Sequence, residues 1–174
     1  MSVQMIVLML LFLIAFIMFY QNIPIGKKIG VVLIIISIFL IVDYTIFNVA
    51  LSIENTRYIS FDRHYNFVPF KTINSQIELI KNNSYKMYSL MNIIGNILMF
   101  AVLSFFICFT FDNMKTFKIV LICFVFSICI EITQLFINRI VDIDDVILNT
   151  FGSIIGIVIA LITKKLFINK QNKI

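Results

Sequence analysis

A chain of 174 residues that is 61% hydrophobic and only 13% charged, with a mean hydropathy of +1.04, lies outside the composition of soluble domains. The formal net charge of +5 comes from 14 Lys and Arg against 9 Asp and Glu; in so apolar a chain such bases collect in cytoplasmic loops, so nucleic acid is not expected as a partner. Each bilayer crossing takes roughly 20 apolar residues, which leaves room for five or six spans and none for a separate soluble domain.

In chain order, apolar runs occupy residues 3–20, 29–53, 93–111, 119–137 and 146–163. The expected fold is therefore all-α, a polytopic membrane helical bundle of about five transmembrane helices. Residues 1–53 hold two N-terminal spans, 54–91 an extracytoplasmic loop, 92–163 a three-helix core and 164–174 a basic cytoplasmic tail. Met1 to Met5 carry no Lys or Arg and no small-residue cleavage pattern follows the first run, so no cleaved signal peptide is expected. Cys108, Cys123 and Cys129 all sit inside apolar runs and read as buried thiols, without disulfide or metal spacing. Within the long loop, Asn66-Phe67-Val68-Pro69-Phe70 is too apolar for a solvated connection and points to a partly buried or re-entrant element around residues 67–73.

Loop charges give a direction. One set of ends carries Lys27, Lys28, Lys115, Lys118, Lys164, Lys165, Lys170 and Lys173 against Asp112 alone; the other mixes Arg57, Arg63, Lys71, Lys81, Lys86 and Arg139 with Glu54, Asp62, Glu78, Asp142, Asp144 and Asp145. The first set is expected to be cytoplasmic, which places the N-terminus outside and the C-terminus inside a cell membrane crossed several times.

Polar residues gather at the opposite, outer ends. Ser127, Glu131, Gln134 and Asn138 are spaced four, three and four apart and share one helical stripe. Glu131 sits about 10 Å from the outer end at 1.5 Å per residue, a depth at which a carboxylate faces protein or water and not lipid. Asp145, Asn149, Gly152 and Gly156 repeat the spacing in the last span, where the glycines let a neighbouring helix approach. Asn92 and Asn96 flank Gly95 at the start of the third span. The economical packing turns the three stripes towards one another. Asp144 reads as an N-cap of the last helix. Asp43 lies mid-membrane in the second span, near Thr45 and Asn48, and the single histidine, His64, sits beside Arg63 in the loop.

These residues resemble the VanZ-like membrane proteins, named after an accessory protein of glycopeptide-resistance clusters associated with teicoplanin resistance. The resemblance rests on Asn66-Phe67-Val68-Pro69-Phe70, on Asn92-Ile-Ile-Gly95-Asn96-Ile-Leu-Met-Phe100, on Ser127-Ile-Cys-Ile-Glu131-Ile-Thr-Gln134, and on Arg139-Ile-Val-Asp142-Ile-Asp144-Asp145-Val-Ile-Leu-Asn149-Thr-Phe-Gly152. The pieces occur in the family's order and cover about residues 63–156. Where the family pattern continues beyond Phe100 with a Pro and then a Gly, this chain has Val102 and Ser104, so a kink expected of the family is absent or made another way. The resemblance implies a role in envelope biology or tolerance of glycopeptide-type antibiotics.

The ligand-binding candidates are Arg63, Asn66, Pro69, Phe70, Asn92, Asn96, Glu131, Gln134, Arg139, Asp142, Asp144, Asp145 and Asn149. In the functional reading they form an outward-facing pocket, with the acids available to a cation or basic group and Arg63 and Arg139 to an anionic head group of a lipid-linked or lipidated envelope molecule. No cofactor is evident; Asp142, Asp144 and Asp145 are hard oxygen ligands suited to a divalent cation. The competing reading is a satisfied interhelical hydrogen-bond network that fixes the fold. Three functions remain open: a binding protein, an enzyme in which Glu131, Asp142 and Asp145 act as acid, base or metal ligand, and a transporter relaying through Asp43 and Glu131, against which the lack of an inverted repeat counts.

Overall fold

A computed structural model describes residues 3–19, 23–47, 65–137 and 140–171. The described chain forms helices α1 (Val3–Phe19), α2 (Ile25–Val42), α3 (Lys71–Lys81), α4 (Lys86–Thr110), α5 (Thr116–Phe136) and α6 (Ile143–Gln171), with a π-helical turn, Asp43–Phe47, continuing α2. Two short strands, β1 (Tyr65–Asn66) and β2 (Val141–Asp142), pair in parallel, Tyr65 opposite Val141 and Asn66 opposite Asp142.

Among the described residues four helices are long and apolar enough to cross a membrane, Ile25–Ile46, Lys86–Thr110, Thr116–Phe136 and Ile143–Leu166, while α1 contributes a shorter apolar segment, Ile6–Ile17. The expectation of about five spans therefore holds as an approximate count. Helix α4 has 25 residues, about 37 Å at the usual rise, enough for the hydrocarbon core with a turn to spare. Large apolar side chains such as Leu98, Val102, Ile122, Val125, Ile154 and Val158 point outwards, which only a lipid surround makes inexpensive. The chain is a multi-pass membrane protein.

Because lipid tails are as apolar as leucine, burial alone does not drive these helices together; close packing and polar contacts must. The tightest seam joins α4 to α6. A Cβ on Gly152 would overlap the Ile97 carbonyl, and one on Gly156 would overlap the Ala101 carbonyl and the Ser104 hydroxyl. The approach inferred from the glycine spacing is thus realised, against α4. Ser104, where the family pattern has glycine, is small enough for the seam and turns its hydroxyl back to Ala101 O (3.1 Å), and α4 runs unbroken from Lys86 to Thr110. Around the seam, Phe100, Leu103, Ile107, Ile119, Cys123, Ile157 and Ala160 form the apolar core.

Two expectations about residues change. Cys108 and Cys123 are buried, but Cys129 is exposed on α5, because its position faces away from the seam. The long loop also contains the eleven-residue helix α3, which its polar sequence, Lys-Thr-Ile-Asn-Ser-Gln-Ile-Glu-Leu-Ile-Lys, did not announce. The partly buried or re-entrant element expected around residues 67–73 is instead an exposed turn leading into this helix, with Phe67, Val68 and Phe70 each more than half exposed.

Candidate functional site

The polar residues at one end of the bundle fall into two groups that touch at Glu131. The first is an anchor between the loop and the start of α6. Asp144, fully buried, lies inside the first turn of α6 and does not cap it. Its Oδ1 accepts the Phe70 N–H, and its Oδ2 accepts the N–H groups of Thr72 (2.8 Å) and Ile73 (3.0 Å). Asp144 thus caps α3, a helix some seventy positions earlier in the chain, satisfying donors that a helix start leaves free. The capping of α6 falls instead to Asp142, whose Oδ1 accepts the Asp144 N–H at 3.0 Å.

Asp142 does more in the anchor. Its Oδ1 also accepts from Asn66 Nδ2 (3.1 Å), and its Oδ2 accepts from the Thr72 hydroxyl. Thr72 Oγ1 in turn accepts from Asn66 Nδ2 at 3.0 Å. Phe70 holds a left-handed backbone, φ 64°, costly for an aromatic residue and maintained here by the bond from its N–H to Asp144. Its side chain and Pro69 are exposed, so these two members of the candidate set supply backbone shape and not a lining surface. Thr72 belongs to the anchor and was not among the sequence candidates; with its helix unannounced by the sequence, nothing marked it.

The second group lines a narrow cleft between the π-turn, α4, α5 and α6, walled by Tyr44, Asn92, Asn96, Glu131, Gln134 and Asn149 among others. Asn96 Nδ2 donates to Asp145 Oδ1 (2.7 Å), Asn149 Nδ2 to Ser127 Oγ (2.8 Å), and Gln134 Nε2 to the Thr45 carbonyl (3.2 Å). The π-turn brings Tyr44 and Thr45 to the cleft, and neither was a sequence candidate. Turns of this kind recur at functional sites, but nothing in Asp-Tyr-Thr-Ile-Phe marks one beforehand. Asp43 is buried in the same turn.

Glu131 is 4% exposed and serves both groups: it lines the cleft while its Oε2 accepts the Asp142 N–H at 2.8 Å. The amide oxygens Gln134 Oε1 and Asn149 Oδ1 are buried and have no hydrogen-bond partner among the described residues, and both residues are only 2% exposed. A buried amide oxygen without a donor is costly, and Gln134 and Asn149, which carry the two, both line this cleft. The room left for the centre of a small molecule is about 10 Å³, roughly that of one water. A hydroxyl, amine or amide N–H fits there; a whole head group does not.

The sequence stripes therefore do converge for Asn92, Asn96, Glu131, Gln134, Asp145 and Asn149. The three aspartates do not share one centre: Asp142 and Asp144 face the loop, and Asp145 faces Asn96. Among the described residues no three His, Cys, Asp or Glu side chains come together as a metal-binding group. Arg63, His64, Asn138 and Arg139 lie outside the described residues. At the far end of the bundle Lys164 Nζ donates to Asp112 Oδ1 (2.6 Å) and to the Cys108 carbonyl (2.7 Å), a contact that holds the Asp112 carboxyl below its ordinary value.

No curated protein and no solved structure matches the chain. A family model does: that of VanZ/LLP1 aligns with residues 5–164, across both N-terminal helices as well as the polar end, and the chain therefore belongs to the VanZ/LLP1 family.

Proposed function

We propose that this VanZ/LLP1 membrane protein acts in cell-envelope biology or tolerance of glycopeptide-type antibiotics by engaging a lipid-linked or lipidated envelope molecule at its polar end. The observation that carries the reading is the pair of buried amide oxygens, Gln134 Oε1 and Asn149 Oδ1, left without donors in a cleft that Glu131 and Asp145 also line. A ligand inserts one donor group into that cleft and lays its apolar part along the lipid-facing helices. Buried ionisable residues in spans are costly unless they serve such a role. The family name, shared with an accessory protein of glycopeptide resistance, agrees with this assignment.

In this reading the polar end faces outwards, with the N-terminus outside and the C-terminus in the cytoplasm, because the lysine-rich loops collect at the other end. Single cysteines introduced at Ser84 and at Asn113, with the native three replaced by serine, test the direction: an impermeant maleimide added to intact cells should label the first and spare the second. Labelling of the reverse pair would invert the assignment.

The function itself is tested with Glu131→Gln and Asp145→Asn in a strain whose glycopeptide tolerance depends on this protein. Tolerance should fall while protein level in the membrane stays normal. Unchanged tolerance at normal level removes the cleft from function. Where tolerance falls, mass spectrometry of envelope lipids decides between binding and chemistry, since an altered precursor in the parent strain would mark an enzyme.

A further inference from the structure

At the end of the bundle opposite the cleft, α2 and α4 meet and then part. A Cβ on Gly30 would overlap the Thr110 hydroxyl, so the two helices touch at that level. One turn earlier, a Cβ on Gly26 would meet nothing within 4 Å. Glycines four apart commonly seat a helix pair along both positions; here only one is used. The unfilled half is the floor of a groove of about 570 Å³, walled by Leu33, Phe105, Phe106 and Phe109 and reached at its polar mouth by Lys27.

The charge at this mouth is one-sided. Among the described residues the only acid in the wall is Asp112, which pairs with Lys164 at 2.6 Å. Helix α2 has Pro24 at its N-cap, with no side-chain cap bond and no acid in its first turn, and places Lys27 at the positive end of its own dipole, where an acid is normally favoured. Positive charge and a helix start at the polar end of an apolar trough call for an anion that carries a hydrocarbon tail.

We propose that this groove is a binding site for an anionic phospholipid, its phosphate at Lys27 and the first turn of α2, and one acyl chain along Leu33 and the three phenylalanines. The site is independent of the polar cleft and of the function proposed for it. It fixes a lipid in the space where α2 leaves α4, completing a helix pair that the described residues leave half open.

The test uses the full chain purified in mild detergent after equilibration with equal amounts of phosphatidylglycerol and phosphatidylcholine, with retained lipid counted by native mass spectrometry. About one phosphatidylglycerol should remain per chain, several-fold in excess over phosphatidylcholine. Lys27→Glu should reduce that retention several-fold, whereas Lys86→Glu at the opposite end should leave it unchanged. Leu33→Trp, which fills the groove without touching the charge, should displace the lipid, with circular dichroism confirming an intact helical fold. Inorganic phosphate at millimolar concentration should not compete, since it brings no chain. Equal retention of the two lipids, or retention indifferent to Lys27→Glu, would overturn the proposal in favour of a neutral lipid filling. A monomer–dimer equilibrium that shifts with Leu33→Trp without any lipid preference would overturn it in favour of a second copy of the chain.

Discussion

The anchor and the cleft are built from the same residue types, within a few residues of one another, yet they handle polarity in opposite ways. In the anchor, both Asp144 oxygens accept backbone donors, and both Asp142 oxygens accept from Asn66, Thr72 and the Asp144 N–H. In the cleft, two amide oxygens remain without donors at 2% exposure. A satisfied network specifies a shape, whereas an unpaired buried polar atom is costly to keep. The contrast fits a structural part for Asp142 and Asp144 and supports the recognition proposed for the cleft, with Glu131 touching both.

The contrast can be broken most directly at Asp144. Asp144→Ala leaves three backbone N–H groups without a charged acceptor, and at about 1.5–3 kcal/mol for a hydrogen bond to a charged group the loss should reach about 3 kcal/mol or more. Thermal unfolding in a fixed detergent should register it as the largest drop of the set, and α3 should become protease-sensitive. A shift indistinguishable from the parent would mean that the loop is held by something else.

Thr72→Val comes next. It deletes a hydroxyl that donates to Asp142 and accepts from Asn66, at a cost of about 1–2 kcal/mol in the same unfolding experiment. Gln134→Met sharpens the other side. It removes the unpartnered oxygen together with the bond to the Thr45 carbonyl, so the two effects offset and stability should change by less than about 1 kcal/mol, while antibiotic tolerance falls. A large loss of stability there would move Gln134 from recognition to structure.

The smallest effect lies outside both regions. Lys164 holds the Asp112 carboxyl below its ordinary value of 3.8, so the contact contributes fully above that value and is lost as the pH falls through the lowered one. The Asp112 side chain is 69% exposed, which limits the contribution to under about 1 kcal/mol. Asp112→Asn should remove this acid-limb dependence and change little at neutral pH.

Much of this was legible before the structure. Run length gave the spanning helices because lipid imposes one length on all of them, although the apolar segment described for α1, Ile6–Ile17, is more than two turns shorter than the others. The three-and-four spacing brought Asn96, Glu131, Gln134 and Asn149 together because a helix carries its stripe rigidly. The loop helix stayed hidden: its polar residues give no long apolar run, and the carboxylate that starts it is supplied by Asp144, far along the chain. The aspartate trio misled for a related reason. Asp142, Asp144 and Asp145 cross a strand-to-helix junction, where neighbours in sequence point to different partners, so proximity along the chain did not become a shared centre.

The glycine seam between α4 and α6 also bears on how the chain is made. Its two sides are separated by all of α5, so while the chain is being inserted α4 stands in the bilayer without its closest neighbour until α6 emerges. The same helix carries Asp144, and its preceding strand Asp142, so the loop that is synthesised earlier waits for the same event. Packing of the membrane core and closure of the loop before α4 are therefore both deferred to the arrival of α6.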